Sequence, residues 1–182
     1  MSDSSAPDSS SSPTVVAVLM GVSGVGKTTV GQAVAERLRW EFFDADDFHP
    51  DENVAKMSRG IPLTDDDRAG WLEVLRTLIA RLIGEGRSAV LACSALKKRY
   101  RDRLLRGNDG AVVVYLSASN KVVEDRIRAR PGHFFDARLL DSQFADLEEP
   151  GEDAAVDAAK PFRAVVDAVV SRLEHYVSTQ GD

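Results

Sequence analysis

A chain of 182 residues with 43% hydrophobic residues can fill the core of one domain, and its net charge of -6 excludes a general binder of nucleic acid or anionic membrane, whose phosphates its field would repel. The single cysteine, Cys93, excludes an intrachain disulfide and a thiolate metal cluster, and it fits a reducing compartment. No run approaches the roughly 18 apolar residues of a membrane helix, and the N-terminus lacks the basic start and apolar stretch of a secretory signal, so a cytoplasmic protein is expected.

Half of residues 1–14 are serine, with proline and aspartate among the rest. That composition buries too little surface to offset its ordering entropy, so a disordered tail is expected, followed by one domain over 15–182. Val15 to Met20 is a β-rich apolar run ending at Gly21, and Lys27 to Leu38 carries helical spacing through Val30, Ala33, Val34 and Leu38. Glu41 to Phe43 reads as a second strand running into the acidic cluster Asp44-Ala-Asp-Asp47. Thr64 has the character of a helix cap, and Trp71, Leu72, Leu75, Leu78, Ile79 and Leu82 form the inner face of a long helix ending at Gly84 and Gly86.

Ser88 to Cys93 and Ala111 to Leu116 are apolar on both faces, as strands between two helical layers must be. Helical pattern follows each, over 97–106 and 121–130. A weaker strand at Ala154 to Val156 precedes a last helix from Pro161 with Val165, Val166, Val169, Val170 and Leu173 inward. Strands alternating with helices predict a three-layer α/β fold: a parallel five-stranded sheet, right-handed crossovers and helices on both faces.

Between the first strand and first helix lies Gly21-Val-Ser-Gly-Val-Gly-Lys-Thr-Thr29, which meets G-x-x-x-x-G-K-[ST] at Gly21, Gly26, Lys27 and Thr28. Bare backbone at Gly21, Val22, Ser23, Gly24, Val25 and Gly26 can cradle phosphate oxygens, with Thr29 continuing into the helix N-terminus. Lys27 would reach the β- and γ-phosphates, and the Thr28 hydroxyl would ligate Mg²⁺. A guanine-reading N-K-x-D is broken by Val123, and the third strand ends in Cys93-Ser94 rather than an acidic metal ligand, which disfavours a GTPase and a motor-type ATPase.

Asp44 and Asp46 follow the second strand at the sheet's carboxyl edge, and if the strand persists, alternation projects both from one side. One could hold Mg²⁺ through water and the other could take the proton of an acceptor hydroxyl. Arg126 and Arg130 share a helical face leading into Pro131-Gly132-His133-Phe134, a pattern suited to a lid that closes over a triphosphate. Lys97 to Arg103 packs five cations into seven residues, mostly a solvated face, with one or two available to an anionic substrate. His49 and His133 have no third ligand at metal spacing, so hydrogen bonding is expected of them.

Together MGVSGVGKTT, FFDADDFHP, GIPLTDDDRAGWL, ACSALKKRYRDRLLRG, RARPGHFF and SQFADLEEP resemble the gluconate kinases (gluconokinases) of the P-loop small-metabolite kinases, over Val15 to about Val170. The resemblance implies ATP- and Mg²⁺-dependent phosphorylation of the 6-hydroxyl of D-gluconate. It implies an acceptor-binding region over about 47–85 and a mobile lid over about 126–150. Asp46 looks like the base and Asp44, with Thr28, the metal side. His49, Arg68, Ser94, Lys97 and Arg101 would line the sugar-acid pocket, with Gln143 on the helix behind the lid. Arg126 and Arg130 would serve the lid. Ala45 replaces a glycine often found between the two aspartates, and a homodimer is a further expectation of the resemblance. A kinase for another small hydroxy acid or nucleoside, and a non-catalytic nucleotide switch, are the competing readings.

Overall fold

A computed structural model of the chain describes residues 13–129 and 137–180. The Ser-rich tail up to Ser12, and Arg130 with the Pro131-Gly132-His133-Phe134 run, lie outside the described residues. Five strands form one sheet: β1 (Val16–Met20), β2 (Glu41–Asp44), β3 (Ala89–Ala92), β4 (Ala111–Ser117) and β5 (Ala155–Asp157). Their order is β2-β3-β1-β4-β5, with all neighbours parallel.

The helices are α1 (Lys27–Leu38), α2 (Asp51–Ser58), α3 (Asp65–Gly84), α4 (Lys98–Leu105), α5 (Asn120–Arg128), α6 (Ala137–Asp146) and α7 (Phe162–Gln180). Among the described residues no helix is long and apolar enough to cross a membrane.

Every residue of β1 is buried because a central parallel strand is covered on both faces, and period-two alternation divides its side chains between two cores. Ala17 and Leu19 join Val90, Val114 and Leu116 against Val30 and Val34 of α1 and Val165, Val166, Val169 and Leu173 of α7. Val16, Val18 and Met20 join Ala89, Leu91 and Tyr115 against Trp71, Leu75 and Ile79 of α3 and Leu104 of α4. Each fully buried leucine of this kind contributes about 1.5–3 kcal/mol of transfer free energy.

The start of α3 carries the cap read from Thr64. Its hydroxyl accepts from the Asp67 N–H at 3.2 Å, and an Asp67 carboxylate oxygen accepts from the Thr64 N–H at 2.9 Å. With Lys56 donating to it as well, Asp67 is held down at about 2.

Cys93, 1% exposed, sits at the end of β3, where burial pushes its thiol up to about 12. The thiolate is the reactive form, so thiol reagents should leave the native protein unmodified at pH 8 and label it only on denaturation. Rapid stoichiometric labelling of the folded protein would contradict this placement.

The strand order sets the position of the site. β1 is followed in space by β3 on one side and β4 on the other, and a crevice opens where the connections part, at the carboxyl ends of the strands. The turn after β1, the residues after β2 and those after β3 all emerge at that rim.

Candidate active site

Gly21 to Gly26 leave β1 in a loop that three glycines make possible. Gly24 has φ +83°, and a Cβ there would lie 2.5 Å from Ile127 Cγ1, so both the turn and the packing of α5 onto it require glycine. The N–H of Gly21 donates to the carbonyl of Ser94 at 3.3 Å, tying the loop to the end of β3. α1 then begins at Lys27, aiming its free N–H groups and dipole at the loop's concavity.

A cavity of about 520 Å³ fills the crevice, lined by Ser23, Gly24, Gly26, Lys27, Thr28, Thr29, Asp44, Asp46, Ala92 and Ser94. Lys27 Nζ donates to the carbonyls of Gly21 at 2.9 Å and Val22 at 3.0 Å. Enclosure of its ammonium lowers its pKa, while the charges of Asp44 and Asp46 across the cavity act the other way. An incoming polyphosphate would meet that ammonium and the loop amides together.

The second strand does not persist through the acidic cluster. It stops at Asp44, and Ala45–Phe48 forms a 3-10 turn capped by the Asp44 carboxylate, whose Oδ1 accepts from the Asp46 N–H at 3.1 Å. The alternation argument therefore fails for Asp46, yet this turn still brings both carboxylates to the cavity. Asp44 Oδ2 accepts from the Thr28 hydroxyl at 2.9 Å, so the loop's hydroxyl and a carboxylate converge at one point. Asp46 lies at the exposed mouth, where partial desolvation, and then repulsion by Asp44, raise its pKa.

On the acceptor side the predicted residues fall into two groups. Ser94 lines the cavity, and the His49 side chain, 4% exposed, places Nε2 3.8 Å from Asp46 Oδ1. Burial lowers the His49 pKa; Asp46 opposes this and Arg68 adds to it. Arg68 donates to the carbonyl of Leu63 at 2.6 Å and lies 5.9 Å from the Tyr100 ring centroid. Lys97 pairs with Asp146 at 3.3 Å and Asp65 at 3.8 Å.

Three of the predicted residues are held by partners within the fold. Arg101 is buried, and its guanidinium donates to the carbonyls of Ala95, Leu96 and Glu148 at 2.7–3.0 Å, so it braces the loop after β3. That loop includes Ala95 at φ +41°, a conformation costly for a residue with a Cβ, and the brace offsets that cost. Arg126 donates to the carbonyls of Val25 at 3.2 Å and Ala158 at 2.6 Å, which makes it a clamp on the phosphate loop from α5.

Gln143 of α6 contacts the loop after β1. Its Oε1 accepts from the Ser23 N–H at 2.7 Å, and its Nε2 donates to Ser23 Oγ at 3.0 Å. Gln143→Glu would set a carboxylate beside the phosphate-cradling amides. We expect KM for ATP to rise about tenfold, the equivalent of 1.4 kcal/mol, with a smaller change in kcat; an unchanged KM would mean that α6 leaves the loop when nucleotide binds.

A Gly-rich loop opening a helix, a half-buried lysine, a hydroxyl–carboxylate pair and a second carboxylate across one cavity define a P-loop kinase. The chain matches the family model for shikimate kinase over residues 23–149. It is 42% identical to the thermoresistant gluconokinase of Escherichia coli K12, covering 86% of this chain and 92% of that protein, and 49% identical to the gluconokinase of Gluconobacter oxydans, covering 76% and 78%. A gluconokinase crystal structure from Sinorhizobium meliloti 1021 superposes with a TM-score of 0.81 at 40% identity, over 93% of this chain and 96% of that one. The chain belongs to the gluconokinase family of P-loop kinases.

Proposed function

We propose that this kinase transfers the γ-phosphoryl group of ATP to the 6-hydroxyl of D-gluconate, giving 6-phospho-D-gluconate and ADP. The observation that carries the reading is the single cavity holding Lys27 and the loop amides on one wall and the Asp46 carboxylate on another. The gluconokinase relatives supply the acceptor's identity.

The donor's phosphates lie along the amides of residues 21–26, with Lys27 on the β- and γ-oxygens. Asp46 accepts the proton of the sugar acid's hydroxyl as that oxygen bonds to the γ-phosphorus. The bond from the γ-phosphorus to the β,γ-bridging oxygen breaks, and ADP leaves with the electron pair. Raising the pKa of Asp46 makes it a better base, and Ala45, buried behind it, fixes the turn that aims it.

Thr28 and Asp44 fit a Mg²⁺ ion: both offer hard oxygen donors, and they already converge to 2.9 Å. When bound there with ATP, the ion supplies neutralisation of charge on the β- and γ-phosphates. Thr28 and Asp44 would hold the ion between them, which would leave Asp46 free for the acceptor. We assign the acceptor's carboxylate to Arg68, whose charge reaches His49, and to Lys97, which would exchange its ion pairs with Asp65 and Asp146 for it.

The test is ADP release measured against a panel of gluconate, other sugar acids, shikimate and nucleosides. Gluconate should stimulate turnover far above the rest. Preferential turnover of shikimate or a nucleoside would replace the acceptor while leaving the kinase class intact, and tight ATP binding without acceptor-stimulated turnover would favour a nucleotide switch.

A further inference from the structure

We propose that Trp71, on α3, is a positioning residue for the carboxylate that activates the acceptor; the inference rests on the reading of Asp46 as the base. Its indole is 5% exposed, and Nε1 donates to the carbonyl of Ala45 at 2.8 Å. Ala45 is the residue between the two site carboxylates and the first of the 3-10 turn, so this bond fixes the turn's depth and rotation against α3.

The ring of Trp71 has a second task. It stacks on His49, with centroids 4.3 Å apart and planes inclined by 12°. His49 closes the same turn, its Nδ1 lies 3.4 Å from Asn53 Nδ2, and the Asn53 amide donates onward to the Asp67 carbonyl of α3 at 2.9 Å. An accepting Nδ1 puts the proton of the neutral ring on Nε2, the atom that faces Asp46.

Both ends of the turn are thus pinned to α3, one by an indole N–H and the other through a stacked imidazole and a buried asparagine. The turn itself consists of four residues, and beyond its own 3-10 backbone bonds it is held by the Asp44 cap and the His49 N–H to Asp46 carbonyl bond at 3.3 Å. A carboxylate on so short a segment moves with any rotation of it. Displacement of a reacting group by about 1 Å can cost about a hundredfold in rate. Trp71 touches no reacting atom in this arrangement; it acts through the backbone of Ala45 and the plane of His49.

Trp71→Phe retains an aromatic face for His49 and removes the N–H. We expect kcat to fall about ten- to a hundredfold, with a smaller rise in KM for ATP, because the lost bond holds the carbonyl of Ala45 and leaves the hydrogen bonds of the phosphate loop in place. The discriminating measurement is the double-mutant cycle with Asp46→Asn. When the carboxylate is already gone, Trp71→Phe should leave the residual kcat unchanged.

An equal loss in both backgrounds, or wild-type kcat in Trp71→Phe alone, would overturn the proposal. Should the phenylalanine variant unfold, site-specific replacement of Trp71 by benzothienylalanine removes the same N–H at constant shape and is read by the same cycle. Wild-type kcat in Asp46→Asn would instead overturn the base assignment, and this inference with it.

Discussion

Replacing Asp46 by asparagine lowers kcat by about two to four orders of magnitude, the span that a positioned general base contributes, and leaves KM for ATP close to its original value. The substitution is nearly isosteric, and the bond that caps the turn runs from the Asp46 backbone N–H to Asp44, so it survives. What disappears is an acceptor for the hydroxyl proton at the mouth of the cavity. The separation of the two kinetic constants carries the argument. Asp46 hydrogen-bonds none of the loop residues, whereas Asp44 is bonded to Thr28. A comparable loss of ATP affinity would place Asp46 on the metal side and require another base.

Lys27→Met should lower kcat by about a hundred- to a thousandfold, the scale on which removal of one preorganised charge-stabilising donor is measured, and should weaken ATP as well. Methionine matches the length of the stem but leaves the cavity without its ammonium, and Lys27 is the only cation among the described residues that line it. The carbonyls of Gly21 and Val22, which now accept from Nζ, would also lose their partner. Lys27→Arg should not restore the rate, because a planar guanidinium cannot occupy the point between those two carbonyls. Steady-state kinetics with both variants checks the pair. A Lys27→Met enzyme within tenfold of wild type would shift the main electrostatic role elsewhere.

The central strand, the phosphate loop and the long third helix were legible because each is specified by local pattern. β1 is a run of apolar residues bounded by a glycine, the loop has fixed glycine and lysine spacing, and α3 has a cap and an unbroken inner stripe. α2 escaped the periodicity reading because its packing is polar. Its buried residue is Asn53, while Val54 and Met57 are exposed, which inverts the usual signal. The shape of the acidic cluster was also hidden, since an aspartate that caps a turn and an aspartate in a strand look alike in sequence.

Long side chains were the least legible. The partners of Arg101 and Arg126 are backbone carbonyls, which every residue possesses and which no spacing rule reveals. Gln143 reaches Ser23 across 120 positions of sequence, so its contact depends on how α6 lies against the loop. For Trp71 the apolar stripe announced a core residue, and only the coordinates reveal that its one polar atom holds the turn between Asp44 and Asp46.

The most direct measurement is a crystal structure with a non-hydrolysable ATP analogue, Mg²⁺ and gluconate bound together. The 6-hydroxyl oxygen should lie about 3–3.5 Å from the γ-phosphorus and within hydrogen-bond reach of an Asp46 carboxylate oxygen, with the triphosphate along residues 21–28. A sugar acid seated outside the cavity between the phosphate loop and the Asp44–Asp46 turn, or with another residue closer to that hydroxyl, would contradict it.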